Sequence, residues 1–229
     1  RHKGFCFVEF EVPEAAAATF VSVGREPNGT PEGVLHLGGG PARFKELLAD
    51  LAKTRIPALP TIFIPTMIPT WQLREAGFLP QSEHELESRF ALSNGYSGTR
   101  GSLMEQGPYS HAATFLAGVY DPGLAGFDEL VLAPFWPALR ITTAGEHLRL
   151  DAGEWLLHQR ILDLRRGMLL RAWRHRTPDG RITRIHEARW ASMADRHGFF
   201  QHVWLVPENY AGEIRMEGTL DGAGRDLEG

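Results

Sequence analysis

From residue 71 onward, hydrophobic positions occur in short runs that are separated by turns containing Pro, Gly or Asp. Such runs at a spacing of about ten residues, with little helical periodicity, are typical of an antiparallel β-sandwich. The segment TPDG lies between two long runs and predicts a hairpin. We therefore predict a mainly β fold for residues 71–229. The runs are ELVLA, ALRIT, HLRLD, MLLRAWRHR, RITRIHEARW, FFQHVWLV and EIRMEGTL.

The N-terminal third has a different pattern. KGFCFVEF is an aromatic-rich run that predicts a strand, and Pro13 is placed to begin a helix. PARFKELLADLAKT has apolar residues at spacings of three and four and predicts an amphipathic helix. We assign residues 1–55 to a small α/β segment, residues 56–70 to a stiff Pro-rich linker, and residues 71–229 to the β-sandwich.

Composition narrows the classes of function. The chain has 229 residues, of which 43% are hydrophobic and 23% charged, with a formal net charge of -4. This charge argues against a nucleic acid or an anionic membrane as the main partner. Cys6 is the single cysteine, which excludes an intrachain disulfide and favours a reducing, cytoplasmic location. Prolines interrupt the longest apolar stretch, so we predict no membrane helix there.

Seven segments of the second part occur in an order that resembles a known family. They are WQLREAGFLP, ESRFALSNGYSGTRGSL, TFLAGVYD, ELVLAPFWPALRI, ILDLRRGMLLR, SMADRH and PENYAGEI with a later LDG. Together, over residues 71–222, they resemble the N-terminal domain of the maltose, kojibiose and trehalose phosphorylase family of glycoside hydrolases. The resemblance implies a galactose-mutarotase-like β-supersandwich, here incomplete, that precedes a helical (α/α)6-barrel.

The resemblance also implies where the chemistry takes place. Inverting cleavage of a glycoside needs a carboxylic acid that protonates the leaving oxygen, and in phosphorolysis inorganic phosphate attacks from the opposite face. The family places that acid in the barrel, outside this chain. We therefore expect no catalytic residue, no metal and no cofactor here, and we expect the chain alone to be inactive. The implied partners are the missing barrel, an α-glucoside disaccharide and a second copy in a homodimer. A chain that begins at Arg1 without Met also fits a part of a longer protein.

The stretch ESRFALSNGYSGTRGSL is the main candidate for a functional segment. Gly95, Gly98 and Gly101 predict positions of positive φ or close approach, and Arg100 has Glu87 as an available partner. Two interpretations stay open at this point. The segment is either a rigid turn that fixes packing, or a loop that borders the sugar site of the barrel. In the second case Asn94, Tyr96 and Arg100 are the candidate substrate-binding residues.

Other titratable groups give weaker signals. Glu83, Glu85 and Glu87 alternate in a polar context, as do the pairs Asp128–Glu129 and Asp151/Glu154, so we predict solvated carboxylates and none that is catalytic. The ten histidines show no metal-ligand spacing. His175 and His186 are expected to face each other across the predicted hairpin as a cross-strand pair.

The aromatic residues suggest two further alternatives. Exposed aromatic side chains bind sugar rings in many sandwiches, which would make this chain a stand-alone carbohydrate-binding module. Most of the tryptophans, however, are expected in the core. The candidates are Trp136, Trp155, Trp173, Trp190 and Trp204. Residues 3–18 also resemble part of an RNA-recognition motif, in which Phe5 and Phe7 would stack on bases, so RNA binding through residues 3–10 is a third alternative.

Overall fold

A computed structural model describes the backbone of residues 5–9 and all atoms of residues 59–122 and 128–220. The fold in these ranges is mainly β with antiparallel sheets, as predicted. One short helix, α1 (Glu83–Arg89), lies between the first strands of the sandwich. The strands are β1 (Phe5–Glu9), β2 (Gln72–Ala76), β3 (Leu92–Ser93), β4 (Ser97–Thr99), β5 (Thr114–Pro122), β6 (Asp128–Ala133), β7 (Leu139–Thr143), β8 (Glu146–His147), β9 (Glu154–Asp163), β10 (Met168–Arg176), β11 (Ile182–Ala191), β12 (Phe199–Pro207) and β13 (Ile214–Gly218).

The largest sheet has six strands in the order β1-β12-β11-β10-β9-β2. A three-stranded sheet has the order β13-β7-β8, and a four-stranded sheet has the order β3-β4-β5-β6. The hairpin predicted around TPDG is present as β10 and β11. The run HLRLD is only partly a strand, because β8 ends at His147 and a single bridge joins Arg149 to Ala152.

The inner face of the six-stranded sheet packs against the three-stranded sheet and α1. Trp173 and Ile185 contact Ile141 of β7 in the main core cluster. Leu162 and Leu169 pack against Phe90, which follows α1. These contacts bury two apolar layers and form the body of the sandwich.

The outer face of the same sheet carries a separate apolar cluster. Phe63, which lies on a 3-10 turn, packs against Leu170 and Trp204. The backbone N–H of Thr66 donates to Oδ2 of Asp163 at 2.7 Å. Residues 59–66 therefore lie on the sheet, although their prolines keep them irregular. The assignment of residues 56–70 as a linker between two domains stays a prediction.

The aromatic-rich N-terminal run forms the strand that the sequence predicts. β1 pairs in parallel with β12, with Phe7 opposite His202, so its backbone belongs to the six-stranded sheet. The side chains of Phe5 and Phe7, on which the RNA-binding alternative depends, lie outside the described part of the structure. The helices and turns predicted between residues 10 and 58 lie outside it as well. No helix in the described ranges is long and apolar enough to cross a membrane.

Candidate functional site

The two segments ESRFALSNGYSGTRGSL and SMADRH meet at one end of the sandwich. Asn94 joins them, because its Nδ2 donates to the backbone oxygens of Ser192 at 2.8 Å and Arg196 at 3.1 Å. Its Oδ1 accepts from the backbone N–H groups of Tyr96 at 3.1 Å and Ser97 at 3.0 Å. All four hydrogen bonds of this amide are thus internal, and they fix the relative position of the two loops.

The ring of Tyr96 lies at the surface where the two loops meet. The ring of His197 meets the Tyr96 ring edge to face at a centroid distance of 4.6 Å. The guanidinium of Arg196 lies 5.3 Å from the centroid of the same ring. Arg196 and His197 are exposed and Tyr96 is half-buried. The sequence prediction named Tyr96 but assigned no role to Arg196 or His197, although both lie in the SMADRH segment.

Arg100 is directed inward, toward α1. Its Nη2 donates to the backbone oxygen of His84 at 2.7 Å and lies 3.4 Å from Oε2 of Glu87. Glu87 also accepts from Oγ of Ser110 at 2.7 Å and from the backbone N–H of His111. The expected pairing of Arg100 with Glu87 is therefore confirmed. It ties α1 to the loop that follows β4.

The three glycines of the segment have different reasons to be glycine. Gly95 has a φ of +82° with open space around it, so only the backbone conformation requires glycine. A Cβ at Gly101 would lie 2.6 Å from Cβ and from the backbone oxygen of Phe90, which is a true close approach. Gly98 has neither feature, since its nearest neighbour would be Ser93 at 4.0 Å. The prediction holds for Gly95 and Gly101 and is wrong for Gly98.

The prediction that Glu83, Glu85 and Glu87 are all solvated is wrong for two of them. Glu83 and Glu87 are completely buried, whereas the side chain of Glu85 is 73% exposed. The reason is that these residues form a helix and not an extended turn. In a helix, residues four apart share one face and the residue between them points away. The remaining acids, Asp128, Glu129, Asp151 and Glu154, are exposed as expected.

Glu83 belongs to a set of buried charges that we call the buried ionic layer. Its members are Glu83, Glu105, Glu187, Arg160, Arg171 and Arg189. Arg160 binds Glu83 through two hydrogen bonds of 2.6 and 3.0 Å. Arg171 binds Glu105 in the same bidentate way. Three guanidinium groups and three carboxylates give the layer no net formal charge, which is the condition for keeping such groups out of water.

Glu187 connects two arginines of this layer. It accepts from Nε of Arg189 and lies 3.8 Å from Nη1 of Arg171. Gln201 donates to Glu187 at 2.6 Å and to the backbone oxygen of Pro137 at 3.1 Å. Charged residues within otherwise apolar strands were the available sequence signal. The signal was missed because such residues are usually exposed.

His158 completes the layer as a neutral group. Its Nδ1 donates to the backbone oxygen of Gly77 at 2.7 Å, and its Nε2 accepts from Nε of Arg171 at 3.1 Å. Burial, together with the charge of Arg171, lowers the pKa of His158 well below its usual value. The imidazole therefore acts as a hydrogen-bond link between Arg171 and Gly77, the residue after β2, with one nitrogen donating and one accepting.

The expectation that His175 and His186 face each other is wrong. His175 pairs with Thr183, and His186 pairs with Ala172. Directly paired residues share one face of a sheet, so His175 lies on the same face as Thr183. His186 is three positions from Thr183, and because an odd separation along a strand changes the face, the two imidazoles lie on opposite faces of the sheet. Burial and the nearby Arg184 lower the pKa of His186 to about 4. No group of three or more potential metal ligands occurs among the residues with described side chains.

The tryptophans divide between core and surface. Trp173 and Trp204 are fully buried, whereas Trp155 is 40% exposed. Trp136 is half-buried, donates from Nε1 to Oγ1 of Thr99 at 2.9 Å, and stacks on Phe199. Tyr96 is half-buried, with the guanidinium of Arg196 and the imidazole of His197 against its ring. An aromatic ring beside N–H donors can contact the apolar side of a sugar ring and its hydroxyl groups.

Comparison with known proteins agrees with this architecture. Residues 73–228 match the model of the glycosyl hydrolase family 65 N-terminal domain. A kojibiose phosphorylase of Caldanaerobacter subterraneus subsp. tengcongensis is 34% identical over 152 residues, which are 66% of this chain and 20% of that protein. An alpha,alpha-trehalose phosphorylase of Thermoanaerobacter brockii is 29% identical over 167 residues, which cover 66% of this chain and 22% of that protein.

A solved structure shows the same fold. The putative kojibiose phosphorylase from human microbiome superposes with a TM-score of 0.61 and 25% identity, over 66% of this chain and 21% of that one. This chain thus spans about a fifth of the length of the phosphorylases it matches. The matched residues coincide with the range in which the sequence resembles this family. The chain belongs to glycosyl hydrolase family 65, and the part that matches is the family's N-terminal domain.

Proposed function

We propose that this chain is the N-terminal β-sandwich of a cytoplasmic disaccharide phosphorylase or related glycoside hydrolase. In this proposal it supports an (α/α)6-barrel that another part of the parent protein supplies. The substrates are an α-glucoside disaccharide and inorganic phosphate, and the parent protein is a homodimer. Two of the relatives carry the names kojibiose phosphorylase and alpha,alpha-trehalose phosphorylase, and in both the matching region is about a fifth of the chain.

The observation that carries the proposal is the internal use of the polar groups in the family segments. The side-chain hydrogen bonds of Asn94 all go to backbone groups, and Arg100 binds Glu87 and the backbone oxygen of His84, both on α1. Groups whose hydrogen bonds are all internal are not free to rearrange around a substrate. They do hold the loops in one arrangement. This is what a supporting domain requires.

Within this scaffold, Tyr96 is the residue that we place at the border of the sugar site. Its ring is held by Arg196 and His197, and Asn94 fixes the loop that carries it. Asn94 and Arg100 then act as positioning residues. Cleavage itself needs an acid to protonate the leaving oxygen while phosphate attacks from the opposite face, and the proposal assigns the groups for both steps to the barrel.

The same surface supports a second candidate function, a stand-alone carbohydrate-binding module. Titration calorimetry of the chain with maltose, trehalose and kojibiose separates the two functions. A scaffold gives no binding heat at millimolar sugar. A module gives a saturable signal that Tyr96→Ala abolishes and that Trp155→Ala, at an exposed aromatic residue outside this loop pair, leaves unchanged.

A turnover assay tests the placement of the acid. The chain alone, given any of these disaccharides and phosphate, should release no glucose 1-phosphate. Release that disappears when one carboxylate of this chain is replaced would show that the catalytic acid lies in this domain and not in the barrel.

A further inference from the structure

Asn94 is followed by Gly95, and asparagine loses its side-chain amide most readily in this dipeptide. The reason is steric, because glycine has no Cβ that hinders the approach of its backbone nitrogen to the preceding side chain. Gly95 is exposed, and a Cβ built on it would have nothing within 4 Å. The sequence has one other such pair, Asn28–Gly29, which lies outside the described residues. The dipeptide at Asn94 therefore favours deamidation.

The folded chain holds both reacting groups of this pair in other hydrogen bonds. The side-chain amide of Asn94 makes two hydrogen bonds to backbone N–H groups of its own loop and two to backbone oxygens of the loop 192–197. The backbone N–H of Gly95, whose nitrogen would attack, donates to Oγ of Ser93 at 3.3 Å. These bonds have to break before the nitrogen of Gly95 can reach Cγ of Asn94. The structure thus opposes the reaction that the sequence favours.

We propose that Asn94 is a deamidation site controlled by the contact between the two loops, protected while they are joined and converted when they separate. In the reaction the backbone nitrogen of Gly95 forms a bond to Cγ of Asn94, and the bond from Cγ to Nδ2 breaks. The proton of the attacking nitrogen leaves with Nδ2 as ammonia. Water then opens the succinimide ring at either carbonyl and gives aspartate or isoaspartate. Water is the only reagent consumed.

The product cannot restore the contact between the loops. In the unmodified chain, Nδ2 of Asn94 donates to the backbone oxygens of Ser192 at 2.8 Å and Arg196 at 3.1 Å. A carboxylate has no hydrogen to donate, so its oxygen would face two acceptors at these distances. The loop 192–197 would lose this attachment, and the ring contacts of Tyr96 with that loop would be lost with it. Deamidation is therefore a one-way release of the two loops.

Peptide mapping by mass spectrometry tests the protection, and it needs neither sugar nor barrel. Trypsin separates the two Asn-Gly pairs, since Asn94 lies in the peptide 90–100 and Asn28 in the peptide 26–43. In the whole chain unfolded by guanidinium at mildly alkaline pH, both should convert at similar rates. In the folded chain Asn94 should convert at least about tenfold more slowly, because only the small fraction with separated loops reacts. Equal rates at Asn94 in the folded and unfolded chains, or no conversion when unfolded, would overturn the proposal.

Variants in the second loop test the control without changing the reacting dipeptide. Oγ of Ser192 accepts from the backbone N–H of Asp195 at 3.0 Å, and Oδ1 of Asp195 accepts from that of His197 at 3.0 Å. The double variant Ser192→Ala with Asp195→Ala should loosen this loop and raise the rate of conversion at Asn94 severalfold in the folded chain. Met193→Ala, at an exposed residue of the same loop, should leave the rate unchanged. A double variant with the wild-type rate would contradict control by this loop.

Hydrogen exchange tests the consequence of the modification. Asn94→Asp reproduces the aspartate product and should accelerate exchange of the backbone amides of residues 192–198 at neutral pH. Asn209→Asp is the matched control, because Nδ2 of Asn209 also donates to a backbone oxygen, that of Gly180 at 2.9 Å, at the opposite end of β11 and β12. This control should leave exchange in residues 192–198 unchanged. Wild-type exchange there in Asn94→Asp would contradict the release of the loops.

Discussion

The two faces of the six-stranded sheet belong to the same strands but bury different kinds of side chain. On the inner face, Arg160, Arg171 and Glu187 lie among apolar residues and are paired with one another or with Glu83 and Glu105. On the outer face, the buried cluster is made of apolar residues such as Ile161, Leu170, Ala188 and Trp204, and Phe63 covers it. One face therefore depends on charge pairing, and the other depends on shape and apolar area.

The difference shows what each face contributes to the fold. Apolar contacts have no direction and tolerate substitutions that keep volume. A bidentate Arg–carboxylate pair has a fixed geometry, and a partner left alone in the interior is costly. We infer that the buried ionic layer fixes how α1 and the smaller sheets sit on the inner face, while the outer cluster adds stability.

The largest expected effect comes from breaking the ionic layer. Arg160→Ala leaves Glu83 buried without a counter-charge and should lower the free energy of unfolding by about 3–5 kcal/mol. Chemical denaturation measures this change. The double variant Arg160→Met with Glu83→Gln should recover a large part of the loss, because no charge is then left alone. A single variant within about 0.5 kcal/mol of wild type, the range of ordinary surface substitutions, would contradict the role of the layer.

A smaller loss is expected from the outer face. Phe63→Ala removes the ring that covers Trp204 and should cost about 2–4 kcal/mol, since the surrounding cluster can collapse only in part. Met67→Ala is the matched control, because Met67 lies on the same segment and is 85% exposed. Equal melting temperatures of the two variants would show that residues 59–66 do not stabilise the sheet.

The outer face should also make stability depend on pH. The folded-state pKa of His186 is lowered to about 4, from about 6.5 when unfolded. As the pH falls below 6.5, the unfolded chain binds a proton that the folded chain does not, so stability decreases. Between pH 7 and pH 5 the His186 contribution is a loss of roughly 2 kcal/mol. Denaturation of His186→Gln at pH 7 and pH 5 should show a loss of stability that is smaller than that of the wild type by this amount. A pH dependence equal to that of the wild type would contradict the lowered pKa of His186.

The smallest effect concerns the loops outside both faces. Gly95→Ala should cost about 1 kcal/mol, because Gly95 has a φ of +82° and nothing within contact distance can clash with a methyl group. Gly212→Ala is the control, since Gly212 also has open space and no positive φ. Thermal melts of both variants measure the difference. Identical melts would show that the loop of Asn94 does not need its left-handed turn.

The strands could be predicted from the sequence because alternation and turn residues act locally, and the family was expected from the resemblance carried by seven ordered segments. The hairpin of β10 and β11 follows directly from TPDG. The facing of His175 and His186 could not be predicted reliably, since it depends on whether an odd or an even number of residues separates the paired positions. Counting residues from the turn was not enough to settle that number.

The candidate site was only partly predictable for a similar reason. Asn94 and Tyr96 were identified from their own segment, but their partners Arg196 and His197 are about a hundred residues away in sequence. The burial of Glu83 and Glu87 was missed because the sequence of this short helix has the polar composition of a turn-rich segment. Only the folded arrangement brings Arg160 and Arg100 next to these carboxylates.

Replacement of a domain in a related enzyme tests the scaffold function most directly. In the kojibiose phosphorylase of Caldanaerobacter subterraneus, residues 71–229 of this chain would replace the matching N-terminal region, and release of glucose 1-phosphate from kojibiose and phosphate would be measured. The account predicts release by the chimaera and none when the region is simply deleted. Full activity of the deletion variant, or a folded chimaera without activity, would contradict the claim that this domain supports the barrel.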